Sequence, residues 1–169
     1  MNHIVLYQPE IPPNTGNIAR TCAGTDAHLH LIHPLGFDLS DKHLKRAGLD
    51  YWHELEITHY KSLEEFMSKI DPENLYLITK FAEKSYTDID YSDYNQDYYF
   101  MFGRETSGLP EDFMKTYESH CLRIPMDDTH IRSLNLSNTA AIIVYEALRQ
   151  QNFYHLDKVT HYAHDKLKD

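Results

Sequence analysis

Five short apolar runs, separated by stretches with helical spacing or a helix-starting residue, constrain this chain more than anything else in it. "HIVLY" (3–7), "LHLIH" (29–33), "LYLIT" (75–79), "YYFMF" (98–102) and "CLRIP" (121–125) have the length and the aromatic or branched aliphatic content of strands. Between them, "TGNIARTCAGT", "DKHLKRAGL", "SLEEFMSKI" and "PEDFMKTY" read as helices. Strand and helix in alternation predict an α/β fold, a mostly parallel sheet flanked by helices. The 169 residues, 41% of them apolar, suit a single domain over 1–169, with no internal repeat and no low-complexity linker.

Open sheets of this kind bind ligands in the loops beyond the carboxyl ends of their strands. Three such loops are chemically unusual: "QPEIPPNTGNIAR" after the first run, "GRETSGLP" after "YYFMF", and "MDDTHIRSLNLSN" after "CLRIP". In the last, Arg132, Ser133, Asn135, Ser137 and Asn138 stand just before "TAAIIVYEALRQ". Ala140, Ile143, Val144 and Ala147 form a helical apolar stripe there, and Ser137 or Asn135 can cap that helix. Buried polar groups must be paired, by the protein's own backbone or by a ligand.

Each loop also has a purely structural reading. Asn and Gly in "NTGN" fill turns, and Asn or Thr caps helices; Arg20, one turn into the helix, can be a surface ion-pair partner or act on something bound in the loop. "GRETSG" has the spacing of a phosphate loop, but Leu109 and Pro110 occupy the positions of its Lys and Ser/Thr. Gly103 remains a point where a ligand can approach the backbone. Glu105 either braces the loop or faces a substrate. No GxGxxG follows the first run and no GxSxG elbow occurs, which argues against a dinucleotide site and a serine hydrolase.

Twelve histidines are unusual, yet "HELEITH" is not HExxH, and His28 and His30 on one strand face need converging partners to hold a metal; solvent-facing histidines and no metal site are the expectation. Cys22 and Cys121 lack zinc or disulfide-framework spacing. The amino terminus has no basic n-region, and no run approaches the roughly 18 apolar residues of a membrane span, so a cytoplasmic protein is expected. A formal charge of −10 opposes nucleic-acid binding by overall electrostatics. One segment, "DKHLKRAGLDYW", is locally basic: Lys42, Lys45 and Arg46 near Tyr51 and Trp52 are either a solvated helix face or an RNA-contacting patch of cations and stacking rings.

Taken together and in order, "PPNTGNIAR", "FGRETSGLP" and "RIPM" followed by "RSLNLSNTAAIIVYEALRQ" resemble the three motifs of the SPOUT superfamily of RNA methyltransferases. The likeness covers about residues 3–150 and is greatest to the small bacterial members that methylate the 2′ oxygen of a wobble cytidine or uridine in tRNA. It implies a carboxyl-terminal deep trefoil knot, an exception among folds, an S-adenosylmethionine pocket made by the knot loops, a tRNA substrate, and a homodimer with its sites near the interface. By position it implies cofactor contacts at Ile78, Thr79, Gly103, Ile124, Ser133 and Leu134. Asn14 and Arg20 would lie near the target ribose, Glu105, Ser133 and Asn135 would shape the catalytic pocket, and Tyr145 would serve activity or assembly. Asp127 and Asp128 set negative charge beside that pocket. Residues 151–169 lie past the motifs, as a helix, a dimer contact or a tail. Methylation of another tRNA or ribosomal RNA nucleotide, or a non-catalytic dimer binding cofactor or RNA, are the alternatives.

Overall fold

In the computed structural model, which describes residues 1–40, 42, 44, 46, 52 and 55–168, all five apolar runs become strands. They are β1 (Asn2–Tyr7), β2 (His28–Ile32), β4 (Leu75–Ile78), β5 (Tyr98–Phe102) and β6 (Cys121–Leu122), joined by β3 (Ile57–Tyr60). The order is β3-β2-β1-β5-β4-β6, and every pairing is parallel. β3 was not among the expected strands, because "ITHY" is short, half-exposed and carries no apolar run. β6 keeps only two of the five residues of "CLRIP": its ladder to β4 ends at Leu122, after which Arg123 bridges Ser85.

Among the described residues, four α-helices with full bounds cover the sheet: α1 (Pro12–Thr25), α2 (Leu63–Met67), α3 (Glu111–Thr116) and α4 (Leu136–Gln150). α1 begins three residues before the expected "TGN", because prolines preset the first helical turn. Ser62 caps α2 by accepting from the Glu65 amide, and Asn135, one of the two expected caps, caps α4 by accepting from the Ser137 and Asn138 amides.

Parallel strands are buried on both faces, which explains why their sequences are nearly unbroken apolar runs. On one face Ile4, Leu6, Leu29, Leu31, Phe100 and Phe102 meet Ile18, Ala19 and Cys22 of α1 and Ala140, Ile143, Val144 and Ala147 of α4. On the other, Val5, Ile32, Leu77 and Met101 pack with Phe66 of α2 and with Leu109. Both cysteines are free and buried, and burial pushes the Cys22 thiol up to about 12.

Past α4, Gln151 exchanges hydrogen bonds with Asn2 (2.9 and 3.1 Å) and donates to the Tyr91 carbonyl, pinning the chain to the start of β1. Residues 152–168 then run as turns and bends, so the helical option for this extension is excluded. No helix among the described residues is long and apolar enough to cross a membrane.

Candidate active site

The chain turns outward in both directions from the β1–β5 pair, and at such switch points the strand ends leave a crevice. A cavity of about 490 Å³ lies there, within the size range of small-molecule sites. Its walls come from the chain following β4 (Ile78 to Phe81), β5 (Phe102 to Leu109) and β6 (Ile124 and Met126), from Ser133 to Leu136 before and at the start of α4, and from Ile11 and Asn14 of the first loop and helix. Ile78, Thr79, Gly103, Ile124, Ser133 and Leu134 all line it, as do Asn14, Glu105 and Asn135.

Asn135 joins two of these segments. Its Oδ1 caps α4 while its Nδ2 donates to Asn14 Oδ1 at 3.0 Å, linking residues 121 apart in sequence. The amide is therefore oriented by its own helix. Asn14 is buried, and its side-chain oxygen is held toward the cavity wall.

Glu105 braces. Its two oxygens accept from the backbone amides of Glu10 (2.8 Å) and Ile11 (3.1 Å), fastening the β1–α1 loop to the β5 loop. Glu10 returns the tie: its carboxylate pairs with Arg104 Nη2 at 2.8 Å and accepts from the Thr106 amide and hydroxyl, contacts that hold its pKa below the ordinary carboxylate value. Of the two roles open to Glu105 from sequence, the geometry corresponds to loop bracing at the cavity edge.

Gly103 lines the cavity and is also crowded from within the chain. A Cβ there would lie 2.3 Å from the Gly108 carbonyl carbon and 2.4 Å from the Leu109 nitrogen. What approaches its backbone is the chain's own turn, closed by paired Arg104–Gly108 amide hydrogen bonds with Gly108 at φ 71°, rather than a ligand alone.

Other expected residues lie elsewhere. Arg20 is exposed on α1 and Tyr145 is 48% exposed on α4; neither lines the cavity of its own chain. Lys42 and Arg46 are exposed helical residues flanking buried Leu44, whereas Lys45 and Tyr51 fall outside the described residues. Asp128 pairs with Arg123 at 2.6 Å and Asp127 bonds Thr129 and His130, so both acids engage local groups.

Several wall residues escaped the sequence reading. Lys80 and Phe81 follow β4, and Phe81 is 74% exposed with Lys80 Nζ 5.2 Å from its ring centre. They also border a second hollow shared with Arg123 and Arg132. Their position just past a strand's carboxyl end was the available signal. Arg104 adds a buried Nε–H with no acceptor among the described residues, a donor suited to a ligand's polar atom.

The histidines depart furthest from expectation. His3 and His30 are only 6% and 5% exposed, and with His28 they converge at the amino ends of β1 and β2, away from the cavity. A parallel register that pairs His3 with His28 brought in the partner that the sequence of β2 alone lacked.

Residues 1–145 match the family model described as the SpoU rRNA Methylase family. A Lactococcus lactis protein named as a tRNA (cytidine(34)-2′-O)-methyltransferase is 60% identical over 169 residues, covering 99% of this chain and 100% of its own. A solved structure described as giving insight into 2′-OH methylation of C/U34 on tRNA superposes with TM-score 0.80 at 41% identity, covering 90% of this chain and 97% of that one. The methyltransferase AviRb of Streptomyces viridochromogenes, solved with its cofactor AdoMet, superposes with TM-score 0.76 at 25% identity over 89% of this chain and 57% of its own. With its family model matched over most of its length and its sheet shared with these methyltransferases, the chain belongs to the SpoU rRNA methylase family.

Proposed function

We propose that this protein transfers a methyl group from S-adenosylmethionine to the ribose 2′-hydroxyl of nucleotide 34, a cytidine or uridine, in tRNA. The observation that carries the reading is the meeting of three loops, far apart in sequence, around one cavity at the strand ends of a chain 60% identical over its length to a protein of that name.

The cavity fits the cofactor in kind. Ile78, Phe102, Ile124 and Leu134 offer apolar wall for a purine, and Gly103, Thr79 and Ser133 bring backbone and small polar groups against it; the unpaired Arg104 Nε–H suits a polar atom. When bound, the cofactor supplies a methyl group already activated on a sulfonium sulfur. The protein's share is then positioning, worth up to roughly 7–11 kcal/mol for well-oriented pairs. In this reading Asn14, oriented by Asn135, and Glu105, through the loop it fastens, set the ribose, while Lys80 and Phe81 offer a cation and a ring to the nucleotide.

Arg20 and Tyr145 enter through a homodimer. Both stand on outward faces of α1 and α4, which pack side by side, and Ile142 is exposed there too. Docking a second copy on that face brings Arg20 near a site, where its guanidinium steadies a phosphate or the developing alkoxide. Lys42, Lys45 and Arg46 of two copies pool positive charge for tRNA despite the net −10. The loops after β4, β5 and β6 that share the cavity are read as the trefoil knot, with 1–169 as one domain and 151–169 as its extension, in the cytoplasm.

The test is methyl transfer from labelled S-adenosylmethionine to tRNA lacking wobble-ribose methylation, with the nucleotide mapped by nuclease digestion and mass spectrometry. Label on the 2′ oxygen of nucleotide 34 is expected, reduced at least 100-fold in Arg20→Ala without loss of cofactor binding. Label only at another tRNA or ribosomal RNA site would move the target. Cofactor binding without transfer to any RNA would sink the catalytic reading.

A further inference from the structure

His28 and His30, two residues apart on β2, project to one face of the sheet. The β1–β2 register sets His3 beside His28, so one ring nitrogen from each of the three histidines lies within 4.8 Å of the others. The rings are closely arranged, His28 and His30 stacked at 4.4 Å and His3 centred 5.1 Å from His30. The cluster occupies the amino ends of the strands, the opposite end from the methyl-transfer cavity.

We propose that His3, His28 and His30 bind a divalent transition-metal cation of the zinc class. The partners of the remaining ring nitrogens support this. His3 Nε2 is held by Asp97 Oδ1 at 3.0 Å, His30 Nδ1 by the Tyr60 hydroxyl at 2.9 Å, and His28 Nδ1 by Glu56 Oε2 at 3.1 Å. Outer partners of this kind orient metal-ligating imidazoles and fix their tautomers. The inward nitrogens, His3 Nδ1 and His30 Nε2, face each other at 2.9 Å.

Zinc–nitrogen bonds of about 2.0–2.1 Å set tetrahedral ligands about 3.4 Å apart. The His3–His30 pair therefore opens slightly as the metal takes the place of the proton between them, and His30 carries that proton on Nδ1 instead, donating it to the Tyr60 hydroxyl oxygen. His28, the most exposed of the three, bonds Thr58 Oγ1 at 2.8 Å through its other nitrogen and exchanges one of its two partners for the metal. Asp97 and Glu56, bonded to the far nitrogens of His3 and His28, supply negative charge around the cation, and water completes four-coordination. Three imidazoles with no thiolate suit zinc, nickel or copper(II), and exclude a calcium-type site.

The same contacts can be a hydrogen-bonded chain without a metal: Asp97 accepts from His3, His3 from His30, and His30 from Tyr60, all rings neutral. Titration separates the two. Chelator-treated full-length protein is titrated with Zn²⁺ by calorimetry and with Co²⁺ by visible absorption, alongside His28→Ala, Asp97→Asn and His33→Ala. The expected result is one tight equivalent per chain and an intense four-coordinate cobalt band. His28→Ala should weaken binding at least 100-fold and abolish the band. Asp97→Asn, which keeps all three imidazoles, should weaken it about 10–100-fold. His33→Ala, at the exposed His33–His59 pair, should change nothing. Saturating zinc should raise the wild-type Tm by about 5 °C or more and leave His28→Ala unmoved. Binding that is weak, or insensitive to His28→Ala, would overturn the proposal and leave the hydrogen-bonded chain alone. The metal titration involves no RNA and no S-adenosylmethionine, so it stands or falls separately from the methyl-transfer assay.

Discussion

Gly103 is where one atom decides most. Its Cβ would sit inside contact distance of the Gly108–Leu109 backbone, which belongs to a closed turn and cannot swing aside as a side chain would. Gly103→Ala is expected to cost about 1–3 kcal/mol, read as a lower urea midpoint at unchanged slope, and to abolish S-adenosylmethionine binding by calorimetry. Asn135 is the second such point, because one amide both caps α4 and holds Asn14. Its capping role was legible from "NLSN" before an apolar run. Its bond to Asn14 was not, since nothing local relates position 135 to position 14.

Among elements, the decisive tie is between the loops after β1 and β5. Glu105 satisfies two backbone amides of the first loop, and Glu10 answers through Arg104 and Thr106. Hydrogen bonds to a charged group contribute about 1.5–3 kcal/mol. Glu105→Ala should therefore lower Tm by several degrees and weaken cofactor binding about tenfold or more, whereas an exposed substitution such as Lys115→Ala should do neither. Equal cofactor affinity in Glu105→Ala would show the tie to be dispensable. Four of the six described strands were placed within a residue at each end because burial on both faces writes itself as an apolar run. β3 gave no such sign: it is an edge strand with one buried residue, recruited by pairing to β2.

Across the whole molecule, pH should act in one direction. His30 titrates near 3 in the folded protein against about 6.5 unfolded, and His3 is also lowered. Between those values the unfolded chain binds more protons, so stability is full above about pH 6.5 and falls as pH drops toward 3. Each histidine held neutral contributes a slope of about 1.4 kcal/mol per pH unit in that window. Glu10, Asp97 and Glu146, whose pKa values are lowered, withdraw stability in the same direction once pH falls below the usual carboxylate range. Urea unfolding in the presence of chelator, at pH 7 and pH 5, should show a loss exceeding 1 kcal/mol; equal stability at both would mean that the histidines take up protons as readily in the folded protein as in the unfolded chain.

Taken by itself, the sequence determined the alternation of strand and helix, the parallel sheet, the cap of α4 and the identity of three polar loops. These are local or periodic properties, set by which residues recur every two or every three to four positions. Tertiary structure alone decided which separated groups meet: Asn14 with Asn135, Glu105 with the Glu10 and Ile11 amides, Lys80 and Phe81 at the cavity mouth, and His3 with His28 and His30. The physical reason is that such meetings depend on strand order and register, which arise only when the whole core packs; a position just past a strand end, as at Lys80 and Phe81, marks a loop without marking its neighbours.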